Sequence, residues 1–365
     1  MIFTVSSKKE LNDFVYFVKK LYKDNAHYVY PIFFMQKKEL SELVLKEKTY
    51  KAILYKKNNK VLGRLLYTVD YSKKQEKDIC YFSHFECVND PYVSNALFSK
   101  MEEDMKEWNV SYSEGSFTPY DPDTRRGIMI KGFNSDPSIF TSYNFEYYND
   151  LINTYGFKKA IDTVLLNALV NKDSKKKLKT FSKFFMRSHD VLVESIDMKN
   201  LENDLKDVKS ILDIATNEIV YQDAPSYELI ENAARQMKSF INPDFVKIAR
   251  EPETMRPIGF CLVLPDFNQV FKETKGKLRP FKMMRLKKSI TRARGMMQYV
   301  IPEYQSTGLI AHMFKVIYDE FEKHGITTFE AGTMMEDNPN PINLFKKFGG
   351  DIIKIYRLYG KDLGQ

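Results

Sequence analysis

The chain has 365 residues, of which 43% are hydrophobic and 28% are charged, with 15 glycines and 14 prolines. This composition excludes a fibrous or largely disordered protein, and the length exceeds that of a usual single hydrophobic core. The formal net charge of +8 suits an anionic partner, which could be a nucleic acid, a lipid surface or a phosphate-bearing ligand.

The sequence lacks the signals of several protein classes. No stretch approaches the roughly 20 apolar residues that span a bilayer, and the first residues lack a signal-peptide pattern, so we expect a cytoplasmic protein without a membrane partner. The three cysteines and five histidines have neither disulfide nor metal-ligand spacing and predict no metal site. Zinc-finger, RNA-recognition, nucleophile-elbow and H-E-x-x-H patterns are absent too, which disfavours a nucleic-acid partner, a hydrolase or a metalloenzyme.

Two pairs of segments repeat in the same order along the chain. Residues 53–67 resemble residues 247–263, and both predict two strands around a polar turn. Residues 101–116 resemble residues 317–333, and both predict the end of an amphipathic helix followed by a strand. A duplicated α+β unit of about 170 residues explains this order better than one large sheet does.

The middle of the chain contains the expected junction. Residues 143–157 are rich in aromatic side chains, which predict either the lining of a cleft between the units or an aromatic core. Residues 171–190 are basic and polar, and predict a connector or a helix across the junction. We therefore place the boundary near residue 180, with an N-terminal domain over 1–180 and a C-terminal domain over 181–365.

The second half has a predictable order of elements. Residues 191–197 predict a strand, and the apolar face of residues 201–214 predicts a helix. A helix, a β-hairpin, a strand ending at Pro302, a helix, a strand, a short helix and a final strand follow. Residues 271–294 carry ten lysines or arginines and one acid, Glu273. This segment could attract phosphates or an acidic substrate, or form a solvated loop or an oligomer contact.

The most specific local pattern lies in residues 296–326. An apolar strand ends before Pro302, a short loop follows, and the next helix has an apolar face with i, i+3, i+4, i+7 spacing. The first amides of such a helix point at any anion above it, and Gly308 lets a ligand approach the backbone closely. A pyrophosphate site is one interpretation, and an ordinary helix capped by Ser306 or Thr307 is the other.

This loop resembles the acyl-CoA loop of the GNAT superfamily of N-acyltransferases. Gln305 and Gly308 match the first two fixed positions of the superfamily pattern, whereas Ile310 occupies the third, where a small residue is usual. The resemblance implies that acetyl-CoA or another acyl-CoA binds along Val300, Ile301, Gln305, Ser306, Thr307, Gly308, Leu309, Ile310 and Asn338.

Further segments extend the resemblance. In residues 336–363, Asn338 follows the predicted fifth strand and would line the pantetheine arm, while the frequent general-acid tyrosine of the superfamily falls at Phe345, which has no proton to donate. Three other stretches resemble a group of tandem GNAT-like bacterial proteins: 125–160, 242–250 and 259–269. The resemblance implies an α+β fold of two tandem GNAT-like domains, each with a mixed, mostly antiparallel sheet flanked by helices.

The two halves differ at the loop. Residues 84–103 of the first half contain no loop glycine and place Asp90 where it would repel a phosphate. We therefore expect a C-terminal domain that binds acyl-CoA, and a degenerate N-terminal domain that shapes the acceptor cleft.

The resemblance also implies direct attack of an amine on the thioester, without a covalent enzyme intermediate. The superfamily holds the thioester carbonyl with a strand amide, here around Val300 and Ile301. Candidate bases are Glu330 and Glu303, and candidate acids are Tyr356 and Tyr359.

The sequence thus predicts an acyl-CoA-dependent N-acyltransferase, in the simplest case an acetyltransferase, that acts on a small-molecule or peptide amine as a monomer or a homodimer. One alternative is a catalytically inactive sensor or scaffold that binds CoA or an acyl chain, which Ile310 and Phe345 favour. A second alternative is a Fem-type transferase that uses aminoacyl-tRNA and the basic segment.

Overall fold

The computed structural model describes residues 1–70, 78–119, 125–216, 224–238 and 240–363. Strands and helices alternate through these ranges. None of the described helices combines the length and the apolar character that crossing a bilayer requires.

The first helix of the chain is well capped. Ser7 and Glu10 form a capping box that satisfies the free amides at the start of this helix. The described elements of the first half are β1 (Ile2–Thr4), α1 (Lys8–Leu21), α2 (Phe33–Leu40), a π-helix (Ser41–Lys46), β2 (Lys51–Lys57), β3 (Lys60–Asp70), β4 (Ile79–Cys87), α3 (Pro91–Glu107), β5 (Tyr112–Gly115), β6 (Ile128–Lys131), α4 (Tyr148–Thr154) and β7 (Lys158–Leu169).

The second half follows the predicted order of elements. Its described elements are α5 (Lys172–Phe185), β8 (Leu192–Ser195), α6 (Leu201–Ala215), α7 (Tyr227–Met237), a 3₁₀ turn (Pro243–Phe245), β9 (Val246–Arg250), β10 (Pro257–Pro265), α8 (Asn268–Thr274), α9 (Pro280–Lys287), β11 (Arg292–Val300), a 3₁₀ turn (Pro302–Tyr304), α10 (Leu309–Lys323), β12 (Thr328–Met335), α11 (Pro339–Lys347) and β13 (Asp351–Asp362). The basic segment 271–294 includes α9 and the end of α8, which the sequence pattern did not predict.

The two halves repeat one supersecondary unit. Each has an antiparallel hairpin, β2 with β3 and β9 with β10. In the first half, β4 pairs antiparallel with β3 of the hairpin and parallel with β5, and α3 lies between β4 and β5 in the chain. In the second half, β11 pairs antiparallel with β10 and parallel with β12, and α10 lies between β11 and β12 in the chain. The predicted duplication and the predicted mixed, mostly antiparallel α+β architecture are confirmed.

The repeat alone did not predict that both units share one sheet. Its strand order is β1-β2-β3-β4-β5-β13-β7-β12-β11-β10-β9-β8, with β6 also paired to β13. The last strand of the chain therefore lies beside β5, where Tyr359 is opposite Gly115. Conversely, β7 extends the second half, where Ala168 is opposite Phe329 of β12. Each half supplies the final strand of the other.

The strand exchange also carries side chains into the opposite core. The apolar cluster of the first half, built around Phe82 and Phe98, contains Tyr359 of β13. The cluster of the second half contains Val164 and Leu166 of β7. The predicted boundary near residue 180 falls within α5, which joins the end of β7 to the second half.

The connector α5 is a regular helix packed on the second half. It begins at the Asn171 cap, and its apolar side buries Leu178 and Phe185 in the core of the second half. Lys175 and Glu322 form an ion pair between α5 and the last turns of α10. Of the two alternatives predicted for residues 171–190, a connector or a helix across the junction, the structure has a helix.

We expect Tyr359→Ala to unfold the first half preferentially, although Tyr359 lies near the C-terminus. Its ring is fully buried in the first-half core, and its hydroxyl donates to Asn149 at 2.8 Å. Removing the ring should cost about 3–5 kcal/mol. Hydrogen exchange should accelerate in β5 and α4.

The matched control is Ile352→Ala in the same strand, because Ile352 packs against the second-half cluster. Its effect should appear in β7 and β12. Faster exchange confined to the second half in Tyr359→Ala would contradict the exchange of strands.

Candidate functional site

The loop between β11 and α10 contains two left-handed backbone positions. Gly308 has φ = +104° and Ser306 has φ = +61°. The first value lies where glycine is strongly preferred, so a side chain at that position would strain the turn. The Thr307 hydroxyl donates to the Tyr304 carbonyl at 2.7 Å and accepts a long bond of 3.4 Å from the Leu309 amide. The N-cap residue of α10 is Gly308 and not the predicted Ser306 or Thr307, so this long bond is the contact that the Thr307 hydroxyl makes with the first helical amide.

This capping leaves part of the helix start free. Within the described residues, the amides of Gly308, Ile310 and Ala311 have no acceptor. They stand at the positive end of a helix of 15 residues. The Gln305 side chain is exposed and its amide donates to the Val300 carbonyl at 3.3 Å. The loop therefore has the free donors that a phosphate requires.

The end of α5 forms one wall of this loop. A Cβ atom on Gly308 would lie 3.7 Å from the Cβ atom of Phe185. The ring of His189 stacks on Phe185 with a centroid separation of 4.7 Å. Ser182 and the Nδ1 atom of His312 are hydrogen-bonded at 2.8 Å. The connector thus positions the first turn of α10.

The strands next to the loop separate in a similar way in both halves. Pairing of β11 with β12 stops at Gly295 and Ala331, and pairing of β4 with β5 stops at Phe82 and Gly115. In the second half, the next residue, Met296, is a bulge without a partner on β10. Backbone groups beyond these points are no longer bonded across the parallel pair, so a gap opens in the sheet.

The predicted amides near the end of β11 are partly engaged. The Ile301 amide donates to the Ile258 carbonyl at 3.0 Å. Val300 lies opposite Gly259 in the ladder with β10. The Ile301 amide can therefore hold another acceptor only if that bond breaks.

A cavity of about 1790 Å³ runs along the sheet through both halves. Ordinary small-molecule pockets measure roughly 300–1,000 Å³. In the second half the cavity reaches the gap, where Met296 and Met297 of β11 and Met335 and Asp337 at the end of β12 line it.

The second-half section of the cavity is largely apolar. Helices α6 and α7 cover it on one side, and β10 contributes Phe260 and Leu262 on the other. Of the two acids in this section, Asp204 is neutralised by Arg250 at 2.8 Å, and Asp337 lies at the gap. The apolar side chains that line it from the helices are Leu201, Leu205, Val208, Leu212, Leu229, Ile230 and Met237. A long hydrocarbon chain suits these walls.

The first-half section contains a buried polar cluster. Glu86 accepts hydrogen bonds from the hydroxyls of Tyr22 and Tyr148, both at 2.7 Å, and an Arg64 nitrogen lies 3.6 Å from its carboxylate. Burial raises the pKa of Glu86, while Arg64 lowers it. Arg64 and Glu86 also line the cavity. This end can therefore bind a polar group.

His84 adds an uncharged ring to the same section. It has φ = +51° within β4, a conformation that costs energy for a residue other than glycine. Burial, together with the charges of Arg64 and Arg125, holds the pKa of His84 well below its usual value. The imidazole is therefore neutral near pH 7 and can accept or donate a hydrogen bond.

Glu330 belongs to a buried ion network rather than to the loop. Arg292 lies 3.3 Å from its carboxylate and also binds Asp266 at 2.5 Å. Burial raises the pKa of Glu330, and Arg292 opposes that effect. Arg294 donates to the carbonyls of Ile139 and Gly332 nearby.

The other predicted catalytic residues lie in different places. Tyr356 is fully buried against Met129 and Leu165, and Tyr359 is in the first-half core. Glu303 is exposed at the loop and pairs with Arg256 at 2.9 Å. The structure does not bring the four candidates together, and their catalytic roles stay predictions.

Asn338 lies where α11 begins. It is exposed, without a side-chain bond to the first turn of that helix. Phe345 is buried against Phe314 and Phe329 in the second-half core. The position that carries a tyrosine in many GNAT proteins thus contributes packing here.

Among the described residues, one group outside the cavity could hold a metal. Ligand atoms of Asp244, Glu320 and His324 lie within 4.8 Å of one another. His324 is hydrogen-bonded to Asp244 at 2.8 Å, and Lys323 pairs with Glu320 at 2.9 Å. These partners satisfy the group without an ion.

The polar cluster of the first half was not predicted from the sequence. The signal was present, because Arg64, His84 and Glu86 interrupt otherwise apolar strands. Ionisable side chains in a buried strand need partners or a polar cavity. The aromatic residues of 143–157 were predicted to line a cleft or to form an aromatic core, and both occur. Tyr143 lines the cavity, while Tyr148 packs in the core of the first half.

Two curated proteins resemble the whole chain. Protein YghO of Escherichia coli is 24% identical over 100% of this chain and 95% of its own length. A bacterial ceramide synthase of Caulobacter vibrioides is 22% identical over 99% of this chain and 97% of its own length. No protein-family model matches the chain.

Solved structures resemble the fold at low sequence identity. A tandem GNAT protein from the clavulanic acid biosynthesis pathway superposes with a TM-score of 0.58 at 10% identity, over 100% of this chain and 99% of that one. A GCN5-related N-acetyltransferase from Sphaerobacter thermophilus gives 0.56 at 8% identity, over 100% and 96%. With the repeated strand order, these likenesses show that the chain has the fold of a tandem GNAT protein.

Proposed function

We propose that this protein is an acyl-CoA-dependent N-acyltransferase that joins a long-chain acyl group to a long-chain amine. The observation that carries the proposal is the cavity, because it connects the gap between β11 and β12 with a long apolar wall. Whole-length similarity to a protein named bacterial ceramide synthase supports this substrate class, since a ceramide is an N-acylated long-chain amine.

The loop before α10 is the proposed phosphate site. The amides of Gly308, Ile310 and Ala311 would bind the pyrophosphate, and the helix dipole would add a favourable charge interaction. Asn338, exposed at the start of α11, would contact the pantetheine arm. A bound acyl-CoA would supply an activated thioester in the gap.

The protein contributes mainly position and hydrogen bonds to this reaction. The bulge at Met296 releases a peptide from the β10 ladder at the gap, and we assign the amide that holds the thioester carbonyl to Met296 or Met297 in place of Ile301. Asp337 lines the cavity next to Met335. It joins Glu303 as a candidate acceptor of the amine proton.

The two sections of the cavity would take different parts of the substrates. The apolar section under α6 and α7 would take the acyl chain. The first-half section, with Arg64, His84 and Glu86 in its wall, would take the acceptor, whose polar group needs hydrogen-bond partners in a buried site.

An inactive acyl-CoA-binding protein is the second candidate. Ile310 occupies a position where a small residue is usual, and Phe345 has no hydroxyl. Release of CoA from palmitoyl-CoA, dependent on a sphingoid base, separates the two candidates: turnover supports the enzyme, and tight binding without turnover supports the sensor.

Gly308→Asp should weaken CoA binding by at least about 30-fold, because it places a negative charge beside the proposed phosphate and strains the turn. Calorimetry on the full chain measures this. Gly325→Asp is the control, since Gly325 also has a positive φ, lies at the opposite end of α10 and has open space around it. If Gly308→Asp and Gly325→Asp bound CoA with equal affinity, the phosphates of CoA would bind at a site other than the loop before α10.

Val208→Trp should remove activity with palmitoyl-CoA and preserve activity with acetyl-CoA, because an indole would fill the cavity under α6. The readout is CoA release across a series of acyl lengths. Ile214→Trp is the matched control on the same helix, at an exposed position outside the cavity lining. Parallel loss at all chain lengths in Val208→Trp would argue against an acyl channel there.

Asp337→Asn should lower kcat about 100-fold while the affinity for CoA stays unchanged, as removal of a proton acceptor predicts. Single-turnover rates and calorimetry separate these quantities. Asp351→Asn, at an exposed site away from the cavity, should behave as wild type. Unchanged kcat in Asp337→Asn would leave the role to Glu303.

A further inference from the structure

An unusual surface lies where the two halves meet near α9. The outer side of α9 and the loop before it expose Phe281 (85%), Met284 (68%) and Leu278 (49%). On α2 of the first half, Phe34 (64%) and Met35 (44%) are also exposed. Large apolar side chains grouped on a surface mark an interaction site more often than scattered ones do. We call these five residues and the cations around them the basic apolar surface.

The α2 and α9 parts of this surface are held side by side. The Phe33 amide donates to the Gly276 carbonyl at 3.1 Å. A Cβ atom on Gly276 would lie only 2.4 Å from the Phe33 ring, and Gly276 has φ = +75°. Only glycine allows this approach. The inner side of α9 is anchored by Met283 and Leu286, which pack against the second-half cluster.

The surface is strongly cationic. Six of the ten basic residues in 271–294 are exposed, whereas Arg292 and Arg294 belong to the buried ion network. Lys275, Lys277 and Arg279 are exposed and have no acidic partner among the described residues. The single acid of this segment, Glu273, lies 3.7 Å from Lys282. Unpaired cations around exposed apolar side chains are typical of segments that lie on anionic lipid.

The same surface adjoins the cavity. Phe34 and Met35 line the cavity as well as the protein surface, together with Lys38 of α2 and Phe271 of α8. A molecule bound at the basic apolar surface would therefore be next to an entrance between α2 and α8.

We propose that the basic apolar surface docks the protein on an anionic phospholipid membrane. Phe281, Met284 and Leu278 would enter the interface, and the surrounding cations would bind lipid phosphates. We expected no membrane partner from the sequence because no segment is long enough to span a bilayer, but a protein that lies on a bilayer needs no such segment. Delivery of a lipid substrate through the entrance rests on the proposed function, whereas the docking itself does not.

Charge complementarity selects a lipid surface over a second copy of the chain. A symmetric dimer through this surface would bring the same unpaired cations face to face. Like charges across an interface oppose association, whereas the phosphates of an anionic bilayer neutralise them.

Helix α5 offers an internal comparison. It also exposes Phe184, and to a smaller extent Phe181 and Met186, among several lysines. It differs because Phe184 is covered in part by the Arg187 guanidinium, 5.0 Å from the ring centroid, and does not line the cavity. Phe184→Ser therefore removes an exposed aromatic side chain, as Phe281→Ser does, but from a basic helix outside the proposed surface.

The test is cosedimentation of the full chain with vesicles, in the absence of CoA and acceptor. We expect binding to vesicles of phosphatidylcholine and phosphatidylglycerol, little binding to phosphatidylcholine alone, and weaker binding in high salt. The double variant Phe281→Ser/Met284→Ser should lose at least about tenfold in partition coefficient. The Lys275→Glu/Lys277→Glu variant should lose binding to the anionic vesicles too, while Phe184→Ser should bind as wild type.

Several outcomes would overturn the docking proposal. The first is that the folded wild-type protein does not bind anionic vesicles, and the second is that it binds both vesicle types equally. The third is that Phe184→Ser loses binding while the Phe281→Ser/Met284→Ser variant keeps it. Light scattering adds one more: an oligomer that the α9 double variant dissociates, without vesicle binding, would assign the surface to a second copy. Because no substrate is present, these results do not depend on acyl transfer.

Discussion

The structure depends on the pairing of β13 with both β5 and β7. This strand closes the sheet of the first half, and its partner β7 extends the sheet of the second, so two repeated units become one continuous sheet. The cavity follows from that continuity, because residues of both halves line it along the sheet from β4 to β11.

A buried ion network fixes the segment that joins the two sections of the cavity. Asp266 is fully buried, binds Arg292, and accepts the Ile139 amide at 2.7 Å. Lys354, also fully buried, donates to the carbonyls of Gly132 and Ser135. Burying these charges is costly, but each has several partners, and breaking one pair would leave an uncompensated charge. The network therefore holds residues 132–139 of the first half against the second half in one arrangement.

Local patterns predicted more of this molecule than long-range pairing did. The repeated hairpins, the loop at Gly308 and the order of the second half follow from turn residues and apolar spacing, which act over a few residues. The position of β13 in the sheet does not follow from such local patterns, because the apolar pattern of residues 351–362 is compatible with pairing in either half. The same distinction applies to the candidate site. The loop at Gly308 could be predicted from local residues. The arrangement of His84, Arg64 and helix α6 around one cavity could not, because it depends on the exchanged strands. The local signs of that cavity were the polar residues within apolar strands and the aromatic run that contains Tyr143.

The strand exchange also sets the order of events during synthesis. The first half lacks one sheet strand until residue 362 has left the ribosome, and at roughly 5–20 residues per second this is on the order of 10–40 s after residue 180 emerges. During that interval the edge of β5 and part of the first-half core have no partner. Exposed strand edges and apolar clusters are the features that bind chaperones or promote aggregation. A nascent chain of this kind would need protection for roughly half of its own translation. Loss of β13 would expose β5 and the first-half core, and it would also remove the partner of β7 and the contacts of Ile352 and Ile355 with the second-half cluster.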